Sequence, residues 1–124
     1  MAYEMRSNIE AVKEASDDAI KRALEIIGGT AEGYAADLCP VDTGNLRNSI
    51  THEMKDEHTV AIGTNVEYAP FVELGHHQQP GRYVPAIGKR LVNDYVKPKP
   101  FLRPAIENHI REYQTILERE AKKG

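Results

Sequence analysis

The sequence predicts an α+β fold in which a long N-terminal helix and a C-terminal helix pack on a small antiparallel β-sheet, with a short helix inserted. Apolar residues recur every three to four positions over residues 1–39 and again over 101–122, which is typical of amphipathic helices. Over 40–100, short alternating runs are separated by turn residues, which predicts strands, the short helix and an extended basic loop. The 124 residues suit a single domain spanning 1–124.

The N-terminal helix is predicted from a stripe that keeps its phase across Gly28 and Gly29. Each glycine costs about 1 kcal/mol relative to alanine within a helix. We therefore expect a continuous or kinked helix in which the glycines let another backbone approach closely. Pro40 ends the helix, because the residue before a proline is pushed towards an extended conformation. The apolar positions of the stripe are Ile9, Val12, Ala19, Ile20, Ala23, Leu24, Ile27, Ala31, Tyr34, Ala35 and Leu38.

A short helical turn and a β-hairpin are predicted next. Thr43 is a suitable cap for a turn whose inner face is Leu46 and Ile50. Apolar and polar residues then alternate over 50–55 and over 59–63, with a short charged connection between them. This pattern indicates two antiparallel strands.

The inserted short helix is predicted between Pro70 and Gly75, since proline favours the first helical turn and glycine the position just past the end. Residues 76–100 are irregular and rich in proline and glycine, although 90–96 contains enough Leu, Val and Tyr for a strand. The face of the short helix that we expect to be buried consists of Tyr68, Phe71 and Val72.

The C-terminal helix is predicted from Phe101 onwards, where the helical period returns. Pro104 falls in its first turn, where a missing N–H matters little. The apolar positions of this helix are Leu102, Ala105, Ile106, Ile110, Tyr113 and Leu117, with His109 at the boundary of the stripe.

Charge is unevenly distributed along the chain. The net charge of −3 argues against a general nucleic-acid binder. Between residues 76 and 103, however, six Lys or Arg face one Asp, a local charge of +5 that leaves −8 for the remainder. This segment is either a solvated loop or a surface for an anionic partner, such as DNA or the acidic face of a neighbouring subunit. The candidate contact residues are Arg82, Lys89, Arg90, Lys97 and Lys99.

The single cysteine and the hydropathy pattern limit the cellular setting. Cys39 has no partner for an internal disulfide, which fits a reducing compartment, and we expect it to be a small core residue. No apolar run approaches the roughly 20 residues of a membrane span, and the N-terminus lacks the apolar core of a signal peptide. We therefore expect no association with membranes.

Asp42-Thr43-Gly44 resembles the catalytic triplet of retroviral-type aspartic proteases, which dimerise so that two aspartates share one proton. Those proteases are nearly all β, and their triplet follows an apolar strand. Here the triplet follows a predicted helix and a proline. The alternative is that Asp42 and Thr43 cap a turn while Gly44 adopts a conformation that other residues resist, and we favour it. We expect no catalytic residues and no cofactor.

Histidines and one carboxylate remain as candidates for a site. His52 and His58 are predicted to face one another across the hairpin, but neither a His-x3-His pair nor a second cysteine completes a tetrahedral set, so we expect no metal. Glu73 lies among apolar residues of the short helix, and a buried carboxylate there requires a partner, for which Arg47 is the candidate.

Three sequence blocks carry a family resemblance: the first block (40–50), the second block (60–76) and the third block (98–105). Together and in this order they resemble a family of long-tailed bacteriophage minor tail or neck components, the HK-phage gene-product-ten-like proteins, often described as tail-completion or head–tail joining proteins. The usual threonine after Gly75 is His76 here. The matching motif residues are Pro40, Asp42, Thr43, Gly44, Leu46, Ser49, Tyr68, Phe71, Glu73, Gly75, Pro100, Phe101, Leu102 and Pro104.

The resemblance implies a virion structural protein without catalytic activity. It implies an α+β subunit that forms an oligomeric ring in the neck or tail, contacts neighbouring phage proteins and is assembled in the cytoplasm of the bacterial host. The basic loop would then line a lumen for DNA or contact an adjacent ring. A minor capsid or head-closure component is an alternative in the same class, and a small cytosolic binding module is an alternative in a different class.

Overall fold

The computed structural model confirms an α+β fold built from helices and a three-stranded antiparallel sheet. It describes residues 1–7, 15–40, 44–77, 83–84, 89–90 and 95–123, without the side chains of 76–77, 83–84, 89–90 and 95–96. The elements are β1 (Ala2–Arg6), α1 (Asp17–Leu38), α2 (Asn45–Asn48), β2 (Thr51–Asp56), β3 (Thr59–Gly63), α3 (Ala69–Leu74), β4 (His76–His77), β5 (Tyr83–Val84), β6 (Lys89–Arg90), β7 (Tyr95–Val96), α4 (Arg103–Glu107) and α5 (Ile110–Lys122).

The sheet has the strand order β1-β3-β2, so β3 is central and is flanked by the N-terminal strand and by its own hairpin partner. The predicted hairpin is confirmed, and its register places His52 opposite Ile62. The prediction of a helix over 1–39 was wrong at its start, because β1 pairs with β3 and its Tyr3 and Met5 pack against the core. Residues 8–14, which include two positions of the predicted stripe, lie outside the described residues.

Helix α1 is continuous through both glycines, as predicted. It begins after Ser16, whose Oγ accepts a hydrogen bond from the Ala19 N–H at 3.1 Å. Gly28 is required by close packing on the sheet, since a Cβ there would lie 2.7 Å from His52 Cδ2 and 2.9 Å from Val60 Cγ2. The close neighbours are thus side chains of the sheet, not a second backbone. The helix ends where predicted, with Cys39 extended at φ −68° and ψ 130°.

The turn after α1 differs from its prediction in one respect. Leu46 and Ile50 are both buried, as expected for the inner face. The N-cap of α2 is Gly44, at φ 79°, and not Thr43. This positive φ is accessible to glycine at little cost, which confirms the conformational role assigned to that residue. Thr43 itself lies outside the described residues.

The C-terminal region forms two helices where one was predicted. The Asn108 N–H bonds to the Pro104 carbonyl oxygen, whereas His109 leaves the helical conformation at φ −128°. The His109 ring stacks on Tyr34 of α1, with centroids 3.5 Å apart and planes inclined by 3°. The break therefore places the boundary histidine against the long helix, and α5 continues antiparallel to α1.

The segment between α3 and α4 carries two short ladders. β4 pairs with β7 and β5 pairs with β6, both antiparallel, and the second pair lies within the first along the chain. The strand predicted over 90–96 is therefore found at Arg90 and at Tyr95–Val96, while 91–94 lie outside the part of the chain that the structure describes.

The core surrounds α1, which contacts β2 and β3 as well as α4 and α5. Its largest fully buried side chains come from α1, from β3 and from the start of the C-terminal region: Phe101, Leu24, Ile62, Leu102 and Val60. This arrangement brings the C-terminal end of α1 together with the three sequence blocks.

Candidate assembly surface

The three sequence blocks meet through hydrogen bonds between residues distant in sequence. Ser49 Oγ of the first block lies 2.5 Å from Thr64 Oγ1 of the second block. The Lys99 N–H of the third block donates to the Val72 carbonyl oxygen at 2.8 Å. The blocks thus form one structural unit, which we call the motif junction.

Glu73 is the polar centre of the motif junction. Glu73 is only 2% exposed. Its carboxylate accepts three backbone hydrogen bonds at the start of α4. Oε1 accepts from the N–H groups of Phe101 at 3.1 Å and Leu102 at 2.8 Å, and Oε2 accepts from Arg103 at 3.3 Å. These amides belong to the helix start, where intrahelical acceptors are lacking. Glu73 therefore caps α4 from a different helix.

The predicted pairing of Glu73 with Arg47 was wrong. Arg47 Nη2 lies 3.9 Å from Asp37 Oδ1, and the described contacts join Glu73 to backbone amides only. The sequence did contain a signal for the observed arrangement. The N-cap of α4 is Leu102, which has no side-chain acceptor, so the helix start needs an acceptor from elsewhere.

The outer face of α3 is apolar. Phe71 is 50% exposed and Leu74 is 60% exposed, whereas the buried residues of this helix are Ala69 and Glu73. The predicted buried face of Tyr68, Phe71 and Val72 was therefore wrong at Phe71, whereas Tyr68 and Val72 are half-buried and pack against the core. Turning Glu73 inwards to reach the α4 amides rotates Phe71 and Leu74 outwards, because they lie two residues before it and one after it on the helix.

A groove of about 400 Å³ adjoins this face. Leu74, Pro98, Pro100 and Pro104 supply its apolar lining, and the ion pair between Arg103 Nε and Glu107 Oε1, 2.8 Å long, lies at its edge. Residues 97–100 are all exposed, so Lys97 and Lys99 border the groove with positive charge. We refer to the exposed residues Phe71, Leu74, Lys97, Pro98, Lys99 and Pro100 as the apolar–basic surface.

The other basic candidates are only partly described. Lys89 and Arg90 form strand β6, and their side chains are not among those the structure describes. Arg82 lies outside the described residues. Contact between these residues and DNA or a partner remains a prediction.

The remaining motif residues either pack in the core or set the direction of the backbone. Leu46, Phe101 and Leu102 are buried in the core, while Pro40, Tyr68 and Pro104 are half-buried. Gly75 adopts φ 72° and ends α3, as predicted from the Pro70–Gly75 spacing. Asp42 lies outside the described residues, so the protease-like triplet is described only at Gly44.

The two hairpin histidines contact different elements, and the prediction that they face one another was wrong. His52 Nδ1 lies 2.5 Å from Glu32 Oε2 and its Nε2 lies 3.6 Å from Glu25 Oε2, so the ring joins β2 to α1. His58 Nδ1 lies 3.1 Å from Ser7 Oγ. Among the described residues, Asp17, Glu57 and His58 place their potential ligand atoms within 4.8 Å of one another. The two carboxylates are exposed, and exposed acidic groups are common without a metal, so the absence of a metal site stays a prediction.

Cys39 has the environment of a core residue. It is buried in the hydrophobic cluster, and burial raises the pKa of its thiol. A raised pKa lowers the fraction of thiolate, which is the nucleophilic form.

One comparison with known proteins identifies a family, and the matched range includes the first block and all but the last residue of the second block. A family model described as "Bacteriophage HK97-gp10, putative tail-component" matches residues 3–75. The matched range begins in β1 and ends at Gly75, so the third block lies beyond it and is joined to it through the Glu73 hydrogen bonds. No curated protein and no solved structure matches the chain. Of the helices described, none combines the length and apolar character needed to cross a membrane.

Proposed function

The chain belongs to the HK97-gp10-like family of bacteriophage tail components, and we propose from this premise that it forms an oligomeric ring in the phage neck or tail. In this role it completes the tail or joins the tail to the head, and it works by assembly without catalysis. The proposed location is the virion, after assembly in the cytoplasm of the bacterial host. The proposed partners are further copies of the chain and neighbouring neck or tail proteins.

The proposal rests on one observation: the polar groups of the motif residues hold the chain in a fixed arrangement. Within the described part of the motif junction, polar groups are engaged in fixing the chain: Glu73 holds the amides of residues 101–103, and Ser49 contacts Thr64. A rigid junction beside exposed Leu74 suits a subunit that presents a defined surface to a neighbour.

The basic residues support a contact with DNA in the lumen of such a ring. The +5 charge of residues 76–103 contrasts with −8 elsewhere, and a positive strip attracts the phosphate backbone regardless of sequence. This contact requires the basic segment to face the lumen.

We test the functional proposal with phage particles that carry Arg82→Glu, Lys89→Glu and Arg90→Glu together. We expect unchanged circular dichroism of the purified chain but impaired tail joining or genome delivery, seen as separated heads and tails or as fewer infectious particles by at least tenfold. Reversing three charges turns the attraction to an anionic partner into repulsion.

A matched control carries Lys21→Glu, Lys55→Glu and Lys122→Glu. These substitutions change the net charge by the same amount as the first variant, at exposed positions outside residues 76–103. Normal particles from the first variant would remove the role of the basic segment. Images of particles that lack the protein separate the alternatives: complete tails beside leaking heads would indicate a head-closure component, and normal particles would contradict the proposed function altogether.

A further inference from the structure

We infer that the apolar–basic surface binds an acidic segment of a different virion protein. That segment places a large apolar side chain in the groove beside Leu74 and carboxylates against Lys97 and Lys99. The inference rests on the proposed function, in which the chain contacts neighbouring neck or tail proteins, and it specifies the chemistry of one such neighbour.

The groove beside Leu74 has an apolar lining that is open to solvent. Leu74 is 60% exposed, and Pro98, Pro100 and Pro104 line the groove with it. A partner that covers such a surface gains about 25 cal/mol per Å² of apolar area removed from water. The groove therefore favours a partner that contributes a large apolar side chain.

The charge left uncompensated at this groove is positive. Both carboxylates that line it are engaged within the subunit, since Glu73 accepts three backbone hydrogen bonds and Glu107 Oε1 lies 2.8 Å from Arg103 Nε. Lys97 and Lys99 are exposed and take part in none of the ion pairs found among the described residues. The complementary partner is therefore acidic.

The segment that carries the two lysines is held in place before any partner binds. Lys97 and Lys99 each precede a proline, which restricts both to extended conformations. The Lys99 N–H also donates to the Val72 carbonyl oxygen at 2.8 Å, which attaches the segment to α3. Little backbone freedom is left to lose on binding, so the entropic cost of association is reduced.

The chain itself does not offer the required combination on the other exposed apolar sites described. The exposed large hydrophobic residues described outside the apolar–basic surface are Leu38 and Ile110. The acid next to the first, Asp37, has its Oδ1 3.9 Å from Arg47 Nη2. The acid two residues after the second, Glu112, accepts a hydrogen bond from the Tyr34 hydroxyl. These acids are engaged, so a partner that joins a large apolar side chain to free carboxylates is a different protein.

The apolar lining also favours protein over DNA at this surface. DNA presents phosphates to which Lys97 and Lys99 could bind, but its outer surface of phosphate and sugar covers little apolar area. A protein segment satisfies both the lysines and Leu74. The proposed contact with DNA is thereby assigned to Arg82, Lys89 and Arg90, and the two lysines beside the groove are assigned to a protein.

The first test measures binding of a fluorescent peptide that has a central Leu-Phe pair flanked on both sides by Asp and Glu. We expect the unaltered chain to bind it, as seen by fluorescence anisotropy. Leu74→Asp, and Lys97→Glu combined with Lys99→Glu, should each weaken the apparent Kd at least tenfold. Peptides with Ser in place of the Leu-Phe pair, or Lys in place of the acids, should bind at least tenfold more weakly than the first peptide.

Two matched controls should bind the peptide like the unaltered chain. Ile110→Asp alters a side chain that is 49% exposed and lies outside the groove, and Lys21→Glu combined with Lys55→Glu reverses two exposed charges elsewhere. Circular dichroism should be the same for all variants. If Leu74→Asp alters it, Leu74→Ser takes its place, because it removes the apolar side chain without adding a charge.

Three results would overturn the inference. They are no binding of the peptide up to about 1 mM, equal binding by the groove variants, and a duplex DNA that displaces the peptide and binds equally well to Leu74→Asp.

The second test identifies the partner in assembled particles, with photoreactive benzoylphenylalanine in place of Leu74. We expect irradiation to cross-link this position to an acidic segment of another virion protein, identified by mass spectrometry. Cross-links to a second copy of the chain or to DNA would contradict the inference while leaving the proposed function intact. If the chain is absent from purified particles, the proposed function fails, whereas the peptide measurement still decides whether the surface has the specificity inferred for it.

Discussion

Two glutamates, Glu73 and Glu120, are buried to the same extent, each with 2% of its residue surface exposed, but their charges are held in different ways. Glu73 accepts hydrogen bonds from three backbone amides in the motif junction. Glu120, near the opposite end of α1, is surrounded by cationic side chains. The motif junction around Glu73 requires a fixed geometry, whereas the site around Glu120 requires only that the charge be neutralised.

The partners of Glu120 are long side chains that extend into solvent. Arg22 Nε donates to Oε1 at 2.9 Å and Lys123 Nζ lies 3.1 Å from Oε2, with 42% and 61% of these two side chains exposed. Arg119 Nε adds a contact of 3.2 Å. Hydrogen bonds from Arg22, Lys123 and Arg119 lower the pKa of the Glu120 carboxyl to about 2.

The difference lies in how far the donors can move. Side-chain cations can change rotamer and still remain near a carboxylate, so the Glu120 site tolerates variation in geometry. The amides of residues 101–103 move only with the backbone, so Glu73 fixes α3 relative to the start of α4. The rigid glutamate is thus in the motif junction beside the apolar–basic surface, where a defined shape matters for assembly.

The largest expected effect is that of Glu73→Ala. It leaves three backbone donors at the start of α4 without their acceptor, two of them buried, and each unsatisfied buried donor costs about 1–3 kcal/mol. We expect the free energy of unfolding to fall by about 3 kcal/mol or more, measured by urea denaturation.

Glu73→Gln is the control for charge, because it retains one carbonyl oxygen but turns an N–H₂ group towards an amide donor. It should be intermediate in stability. A loss below about 1 kcal/mol for Glu73→Ala would show that the amides find other acceptors, and the contrast with Glu120 would then disappear.

The sequence predicted the short helix and the left-handed turn of the motif junction. It did not predict that Phe71 of the short helix faces solvent. Pro70, Gly75 and Gly44 act through their own backbone dihedral angles, so a local pattern was sufficient to place the short helix and the left-handed turn. The orientation of α3 depends on the amides of residues 101–103, almost thirty positions away. Hydrophobicity alone therefore assigned Phe71 to the wrong face.

The N-terminal strand was missed for a related reason. Ala2–Arg6 is only five residues long and none of its side chains is fully buried, so on its own it gives a weak strand signal. Its structure comes from pairing with β3, which lies more than fifty residues later. Strand preference depends strongly on the neighbouring strands, which a single-sequence pattern does not contain.

The second prediction concerns pH and uses Glu120→Gln. The folded pKa of Glu120 is lowered from 4.5 to about 2, so the unfolded chain binds its proton more readily than the folded chain does. The stabilisation is therefore complete above about pH 4.5 and is lost as the pH falls towards 2. The difference in melting temperature between the unaltered chain and Glu120→Gln should be largest near pH 7 and should close by about pH 2.

High salt should also reduce this difference, because the partner cations are solvent-exposed and are screened. The corresponding difference for Glu73→Gln should respond less to salt, since its donors are uncharged amides. A Glu120 difference that is the same at pH 7 and at acidic pH would show that the glutamine change disturbs packing, not charge.

The smallest expected effect is that of Lys123→Met, which removes the most exposed of the three cations. Arg22 and Arg119 remain, so we expect the melting temperature to change by at most a few degrees (about 0–3 °C) at neutral pH. Arg22→Met is the comparison and should cost more, because Arg22 Nη2 also donates to the Glu120 carbonyl oxygen at 3.1 Å. Equal losses would mean that the three cations act as one unit. Glu120 would then resemble Glu73 in requiring every partner, and mobile donors would no longer distinguish the two sites.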